Sequence, residues 1–376
     1  MSKFKLFFIF LSVIFLSYQS CRNSTDSLIT IDISKDYSKK KIKIDTEYIP
    51  LETKDTVVVG KGATLHYVSE KYILVIERAN GDIFVFDRSG KIVNYINQIG
   101  RGPTEYFTIS NVVFDENSKE IFVFDRPSAR RIQVYSLTGE YKQTLEYSDA
   151  YDFTAYNFDE NTFLTYDTKG LYSDDNSYSK KPYMFMSKTV VDGINALNID
   201  LPVRYSERVS WQNKAPSGQV FTSSRSVPIP NSIHFGEDFI ISDISSDTIY
   251  QLTRGKELKP IMVRTPSVHS ADPRMIWTCA LNTDKFMILY VTTLDYETIK
   301  KNNLPPIKTL MYEYKSGKIS QVDYHGTNVN TLQKNIDASM FDAVAFKENF
   351  GNKALEQLGT TFNANSNPVV VIDSYK

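Results

Sequence analysis

Cysteine is nearly absent from this chain of 376 residues, which contains only Cys21 and Cys279. Two cysteines exclude a disulfide framework, and they exclude a zinc site built on cysteine ligands. Cys279 lies in the apolar stretch 275–281. We therefore predict that it is a small buried hydrophobic residue and not a nucleophile.

An excess of charge of one sign is also missing. The chain has 43 basic and 44 acidic residues, which gives a formal net charge of -1. A balanced chain has no overall field that would attract nucleic acid or an acidic membrane surface, and no domain-sized basic patch stands out. The sequence therefore predicts that nucleic acid is not a partner.

Recognised catalytic motifs are lacking as well. The four histidines do not have the spacing of a metal-binding motif, and the chain has no Gly-x-Ser-x-Gly sequence. We predict no metal site and no cofactor, and no catalytic residue is assigned. A site assembled from residues that are distant in sequence stays open. The histidines are His66, His234, His269 and His325.

Aromatic residues, in contrast, are abundant: the chain has 24 Tyr and 23 Phe beside 2 Trp. Aromatic side chains favour strands, so the composition predicts β structure. The hexapeptide Ile-Phe-Val-Phe-Asp-Arg occurs at 83–88 and again at 121–126, 38 residues later. This spacing is close to the period of four-stranded propeller blades, and it makes Asp87 and Asp125 equivalent positions of a repeat.

Local patterns agree with a ring of antiparallel sheets. Both alternating faces of the repeated strand are apolar, which is typical of a sheet buried between two others. One short amphipathic helix is predicted within 339–359. Counting the strand patterns alone allows six or seven blades. Glycines at positions that favour hairpin turns lie in 79–82, 88–91, 137–140 and 315–318.

The N-terminal residues have the pattern of an export signal. Lys3 and Lys5 precede an apolar run at 6–16. That run is shorter than the roughly 20 apolar residues that span a bilayer, and its length fits the core of a signal peptide.

A small residue, Ser20, stands directly before Cys21. This arrangement resembles the lipobox of bacterial lipoproteins, in which the signal is cleaved before a cysteine that becomes lipidated. The resemblance implies a signal peptide at 1–20, a lipidated tether at 21–28 and a folded domain at 29–376. The acyl chains would anchor the domain to a membrane. An ordinary cleavable signal with an incidental cysteine is the alternative.

Three further segments point to a family. They are "EYIPLET" at 47–53, "GRGPTEY" at 100–106 and "NPVVVIDSYK" at 367–376. With the export signal and the strand repeats, they resemble the six-bladed β-propeller lipoproteins of Gram-negative bacteria, which are related in shape to NHL and TolB-type propellers. The resemblance implies an all-β, six-bladed β-propeller of four-stranded antiparallel blades. It also implies a location in the cell envelope, at the outer membrane, on its periplasmic or surface face.

A propeller closes when its first and last strands share a blade. Residues 40–51 and 367–376 both have strand-like sequences and lie at opposite ends of the domain. We therefore predict that the N- and C-terminal strands form the closing blade together.

The segment 100–106 is interpreted as a structural connector between blades. It lacks the third glycine of a dinucleotide-binding loop and the Gly-Lys-Ser/Thr of a phosphate-binding loop. Its proline removes a backbone donor that an anion site would use. We predict that Arg101 and Glu105 pair with each other or line a rim. The connector residues are Gly100, Arg101, Gly102, Pro103, Glu105 and Tyr106.

Two classes of function remain after these exclusions. The first is a binding or scaffold module held at the membrane, which handles a glycan or nutrient with an outer-membrane protein partner or a saccharide ligand. The second is a propeller enzyme that acts on a glycan, a lactone or a similar small molecule at the channel mouth. Trp211 either stacks on a sugar or covers a blade edge. Converging carboxylate, Asn or His side chains at the channel would favour the enzyme.

Overall fold

The computed structural model describes the chain from residue 28 onwards, with gaps. The signal peptide predicted at 1–20 and Cys21 lie outside the described residues, as does most of the tether predicted at 21–28. None of the described helices is long and apolar enough to cross a membrane. The described residues are 28–125, 130–147, 153–171, 177–189, 195–229, 233–234, 236, 238–301, 303–326, 329–331, 335–358 and 362–376.

Residues 29–50 lie on the outer edges of three neighbouring blades, and we call them the rim segment. Its first two strands pair in parallel with the outermost strands of the fourth and fifth blades. Its third strand is the outermost strand of the sixth blade. These strands are β1 (Ile29–Asp32), β2 (Lys39–Lys40) and β3 (Ile44–Pro50).

The first three blades each contain four antiparallel strands, and strands that are consecutive in sequence are neighbours. In each blade the first strand lies at the axis of the ring and the fourth at its rim. The first blade contains β4 (Thr64–Val68), β5 (Tyr72–Glu77), β6 (Asp82–Asp87) and β7 (Ile92–Ile96). The second contains β8 (Asn111–Asp115), β9 (Glu120–Asp125), β10 (Arg131–Ser136) and β11 (Tyr141–Glu146). The third contains β12 (Phe153–Asn157), β13 (Thr162–Asp167), β14 (Tyr183–Ser187) and β15 (Asn195–Ala196).

A hairpin separates the third blade from the fourth, and it consists of β16 (Arg208–Lys214) and β17 (Val220–Ser226). The fourth and fifth blades repeat the four-stranded pattern, and each gains one strand of the rim segment. The fourth blade contains β18 (Ile233–His234), β19 (Phe239–Ile241), β20 (Thr248–Leu252) and β21 (Leu258–Thr265). The fifth contains β22 (Met275–Asn282), β23 (Phe286–Thr293), helix α1 (Tyr296–Lys300), β24 (Lys308–Glu313) and β25 (Ile319–Val322).

The sixth blade closes the ring. Its inner strand β26 (Asn330–Thr331) bonds to β4 of the first blade. Its middle strand β28 (Val369–Tyr375) lies between β27 (Ile336–Phe341) and β3. The N- and C-terminal strands therefore share the closing blade, as predicted. The prediction of a six-bladed β-propeller of four-stranded antiparallel blades is confirmed.

The core lies between neighbouring blades, and β6 illustrates why its sequence is apolar on both sides. Ile83 and Val85 pack towards the second blade. Phe84 and Phe86 point to the opposite side of the strand and pack towards the sixth blade. Alternation along a strand sends successive side chains to opposite faces, so a sheet between two others needs apolar residues at every position. β6 is therefore buried on both faces, as predicted.

The repeated hexapeptide does not mark equivalent positions of two blades, which corrects the prediction. Residues 83–87 of its first copy lie in the third strand of the first blade, and residues 121–125 of its second copy lie in the second strand of the second blade. The inner strands of these blades begin at residues 64 and 111, 47 residues apart. Asp87 consequently accepts hydrogen bonds within its own turn, whereas Asp125 is fully buried and accepts the N–H of Thr108. The same apolar sequence fits two strand positions, because both are buried on both faces.

The hairpin turns that the glycines predict are present. Gly90, between β6 and β7, has a φ of +85°, a conformation that side chains rarely adopt. A Cβ at this position would lie 2.3 Å from the carbonyl oxygen of Pro50 in β3. A bulkier residue would therefore push the first and sixth blades apart.

The predicted amphipathic helix within 339–359 is present as α2 (Ala343–Gln357), but it is broken at Gly351, whose φ of +78° is not helical. Asp342 caps it, because its carboxylate accepts a backbone N–H of the first turn. Phe346 is fully buried and packs edge-to-face on Tyr48 of β3, with 5.1 Å between the ring centroids. The helix thus covers the closing blade.

Candidate functional site

One face of the ring carries the segments that lead from each blade to the next, and we call it the connector face. Because successive strands of a blade run in opposite directions, the turn after each second strand reaches this same face. Both helices are such turns, since α1 follows β23 and α2 follows β27. The connector face is therefore the more elaborate side of the disc.

A cavity of about 570 Å³ opens at the connector face, where the inner strands surround the axis. We call it the channel cavity. Its walls come from the first, second, third and sixth blades, so it gathers residues from both ends of the domain. The polar lining consists of Thr64, His66, Arg78, Ser110, Asn111, Thr154, Tyr156 and Ser339.

Two lining side chains join neighbouring inner strands. His66 of β4 makes a hydrogen bond of 2.7 Å through Nε2 with the carbonyl oxygen of Val112 in β8. Asn111 of β8 donates through Nδ2 to the carbonyl oxygen of Ala155 in β12, at 2.8 Å. The sheets of the first, second and third blades share no backbone pairing with one another, so these side-chain bonds join their inner strands. They hold the wall of the channel cavity in a fixed shape.

The protonation state of His66 follows from its surroundings. Burial lowers its pKa to about 4, because the charged imidazolium loses hydration, and the nearby Arg78 adds to the effect. The ring is therefore neutral at neutral pH. The contact with the Val112 carbonyl oxygen requires the hydrogen on Nε2, so Nδ1 is an acceptor.

Among the described residues that line the channel cavity, Arg78 is the only one with a positive charge, and none of them is a carboxylate. Its Nη1 donates to the carbonyl oxygen of Ser110 at 2.5 Å, which fixes the side chain against the connector between the first two blades. Burial lowers the pKa of this guanidinium, but arginine stays protonated in proteins. The mouth of the cavity therefore carries one fixed positive charge.

This arrangement suits binding more than acid–base chemistry. The cavity offers hydroxyls, an amide, a neutral imidazole and one guanidinium, all of which make hydrogen bonds to polar ligands. The described part of its lining has no pair of carboxylates that would divide the roles of acid and base. Among the residues that the structure describes, no three His, Cys, Asp or Glu side chains cluster in a way that would hold a metal.

Sequence reasoning did not find this lining. Arg78 follows the second strand of the first blade, and Ser339 lies in the second strand of the sixth blade. Neither residue belongs to a motif, and their proximity arises only when the ring closes. The sequence around His66 gives no sign of its position at the axis.

The segment 100–106 lies between β7 and β8, on the path from the rim of the first blade to the axis of the second. Glu105 folds back and accepts the N–H of Gly102 at 2.7 Å. A Cβ on Gly100 would lie only 1.9 Å from Oε2 of this carboxylate. Instead of pairing with Glu105, Arg101 lies over the ring of Phe107, with 5.7 Å between its Cζ and the ring centroid.

Tyr106 packs beneath the same segment and is fully buried. Its hydroxyl donates to the carbonyl oxygen of Gly81 at 2.6 Å and accepts the N–H of Gln98 at 3.1 Å. Burial raises the pKa of this phenol to about 12, so the hydroxyl keeps its hydrogen and remains a donor. Tyr106 thereby ties the connector to the turn between β5 and β6.

On the second blade, the segment 100–106 contacts one face of β10. Tyr135 donates its hydroxyl to the Thr104 carbonyl oxygen at 2.6 Å. Gln133 donates to the carbonyl oxygens of Pro103 and Glu105 at 3.2 and 2.9 Å. Because side chains two residues apart share a face of a strand, these residues form a row of donors under the segment. This geometry supports a connector role for 100–106.

Trp211 lies in the middle of β16 and is partly exposed. It pairs with Ser223 across the hairpin, and Asn213 pairs with Phe221. Trp211 and Phe221 are therefore diagonal neighbours on one face, and 49% of Phe221 is exposed. At the base of the hairpin, Val209 packs on an apolar cluster of the connector face. The structure thus places Trp211 in an aromatic surface of this face, outside the lining of the channel cavity.

The remaining cysteine and two further histidines lie outside the lining of the channel cavity. Cys279 is fully buried in β22, as predicted, and burial raises the pKa of its thiol. His269 contacts Tyr205, with its Nδ1 3.3 Å from the tyrosine hydroxyl. His325 lies 2.9 Å from Asp323 on an exposed loop.

This chain is similar to solved structures and to one protein family. A protein described as exported, from Bacteroides fragilis NCTC 9343, has 15% sequence identity and a TM-score of 0.61, and the match covers 93% of this chain and 100% of that chain. A member of the DUF4221 family from Bacteroides vulgatus ATCC 8482 has 9% identity and a TM-score of 0.49, over 90% of this chain and 99% of that chain. No curated protein matches this chain. Residues 28–373 match a family described as a domain of unknown function, and the chain therefore belongs to the DUF4934 family.

Proposed function

We propose that this protein is a binding module that holds a small polar ligand in the channel cavity. The observation that carries the proposal is a cavity of about 570 Å³ with a wall fixed by hydrogen bonds between inner strands. A rigid concave site with a few convergent polar groups is the usual form of a ligand site.

The charge of the lining limits which classes of ligand the channel cavity would bind. Arg78 is the one charged residue of the described lining at neutral pH, and it attracts a negatively charged ligand and repels a cation, whereas a neutral polar ligand is free to bind. The size of the cavity suits a mono- or disaccharide or a similar polar molecule. The alternative, an enzyme acting on a glycan or lactone, has less support, because among the described residues His66 bonds to a backbone carbonyl oxygen and not to a hydroxyl of the lining, and the described lining has no pair of carboxylates.

We place this module in the cell envelope. The export signal in the sequence and the resemblance of the residues before Cys21 to a lipobox support a lipid anchor. The anchor would hold the propeller at the outer membrane. The exported protein from Bacteroides fragilis has a similar fold. In this setting the module would take up a saccharide or nutrient together with an outer-membrane protein. Trp211 and Phe221 would contribute a stacking surface on the same face.

A ligand screen with two variants of one residue tests the channel cavity. Neutral and acidic mono- and disaccharides are screened by thermal shift against the wild type, and hits are measured by calorimetry. Ser339→Trp fills the cavity, whereas Ser339→Ala leaves it open. We expect a hit that Ser339→Ala retains and Ser339→Trp loses. A ligand that binds both variants equally, or catalytic turnover of a hit, would contradict the proposal.

A further inference from the structure

The rim segment carries a local concentration of positive charge that the balanced composition hides. Five lysines occur within residues 35–43, with one acidic residue, Asp36, among them. Lys39 and Lys40 form β2, which adds to the outer edge of the fifth blade beside Gln321 and Val322 of β25. The lysines are thus held at a defined place on the disc.

A second cavity lies beside this strand and is separate from the channel cavity. Its volume is about 870 Å³. We call it the rim cavity. Lys39, Lys40 and Lys41 line one side, and side chains of the fifth blade line the other. The strands of the fifth blade contribute the hydrogen-bonding residues Tyr290, Thr309 and Gln321 to this lining.

The charges around the rim cavity do not cancel. Lys40 pairs with Glu313, but Lys39 and Lys41 have no ion-pair partner among the residues that the structure describes. Asp323 is the one carboxylate of the described lining, and its side chain is 91% exposed and lies beside His325. The cavity wall therefore has two ammonium groups without a counter-ion from the described part of the chain.

We propose that the rim cavity binds a phosphate-bearing ligand. Ammonium groups are compact charges with three donors each, and they bind phosphate oxygens well when several of them face one site. Thr309 and Gln321 add uncharged hydrogen-bonding groups next to the lysines. The ligand is either a free phosphate compound or the headgroup of an anionic lipid, since both present the same group.

Edge protection is the competing explanation for the lysines. A strand at the edge of a sheet often carries lysine, because the charge prevents pairing with another chain. Edge protection requires charge along the edge of the sheet, but it does not require a cavity beside that edge. The rim cavity, with Thr309 and Tyr290 in its opposite wall, is what points to a ligand.

Calorimetry with the full-length chain tests the site with defined probes. Inorganic pyrophosphate represents the free compound, and dihexanoyl phosphatidylglycerol represents the lipid headgroup, with dihexanoyl phosphatidylcholine as the lipid of zero net charge. The variant is Lys39→Gln with Lys41→Gln. The control removes the same charge from the opposite end of β24 and β25, with Lys315→Gln and Lys318→Gln.

We expect the wild type and the control to bind at least one of the two anionic probes, and the Lys39/Lys41 variant to bind it at least tenfold more weakly. Preference for pyrophosphate assigns a free compound, and preference for phosphatidylglycerol assigns a headgroup. Absence of binding to both probes, equal loss in variant and control, or equal binding of phosphatidylcholine would overturn the inference. The result is independent of the channel cavity, because none of the substituted residues lines it.

Discussion

The side-chain oxygen of Asn367 accepts a hydrogen bond of 2.9 Å from the backbone N–H of Val59, a residue 308 positions earlier in the chain. The amide nitrogen of Asn367 donates to the carbonyl oxygens of Glu52 and Val57, at 2.8 and 2.9 Å. Asn367 is 2% exposed and stands just before β28. One side chain thus joins the last strand of the propeller to the segment that leads into its first blade.

Asn367→Ala should destabilise the propeller by about 3 kcal/mol, because it leaves a buried N–H, one buried carbonyl oxygen and one partly buried carbonyl oxygen without this partner. Urea unfolding measures the change. Asn365→Ala is the matched control, since Asn365 is exposed two residues away. Equal stability of the two variants would show that Asn367 does not hold the closure.

Acid should destabilise the fold through His66. Its pKa is about 4 in the folded protein, whereas a solvated histidine has a pKa of 6.5, so the unfolded chain binds the proton more readily. Stability should be unaffected by this group above pH 6.5 and should fall by about 3 kcal/mol as the pH drops to 4. Chemical unfolding across this range measures the loss.

His66→Gln is the control for this pH dependence, because glutamine retains a donor for the Val112 carbonyl oxygen without titrating. The difference between wild type and variant isolates the contribution of His66 from that of the carboxylates. A difference that stays constant from pH 7 to pH 4 would refute a buried neutral imidazole.

Gly100→Ala should cost about 1–2 kcal/mol of stability. The new methyl group would displace the Glu105 carboxylate, which would then lose its hydrogen bond to Gly102. Glu105→Ala alone should cost a similar amount. In the double variant the second change should add little, because the same contact is already lost. Fully additive losses in urea unfolding would show that the two residues act separately.

Cys21→Ala should move the protein from the membrane fraction to the soluble fraction, since it removes the residue that the acyl chains would modify. Fractionation of cells and detergent partitioning measure the distribution. Ser24→Ala, in the same polar stretch, should remain with the membrane. Retention of the Cys21 variant in the membrane would contradict the lipoprotein hypothesis.

Local physical chemistry was sufficient to predict much of this fold. Gly90 predicts the turn between β6 and β7, because only a residue without a Cβ fits that backbone. Phe346 predicts a helix through its spacing from other apolar residues. The closing blade followed from two strand-like ends of the chain. These features depend on residues that are near one another in sequence, or on the general need of a ring to close.

Relationships between blades were not predictable in the same way. The shared hexapeptide of β6 and β9 indicates two buried strands, but it does not say which neighbours each will have. The channel cavity depends on Arg78 and Ser339, which come together only through closure. β1 has only four residues, and its sequence contains no pattern that would predict its parallel pairing with β21. In each case the information lies in contacts between distant segments.

The rim segment also dictates an order of assembly. Its strands β1, β2 and β3 pair with β21, β25 and β28, all of which are made later in synthesis. The first part of the domain to leave the ribosome, or to cross a membrane, therefore waits for partners from the last half. Such long-range pairing slows folding, because the intervening chain has to be ordered first. A nascent chain of this protein would keep its leading strands available to chaperones until the final blade has been made.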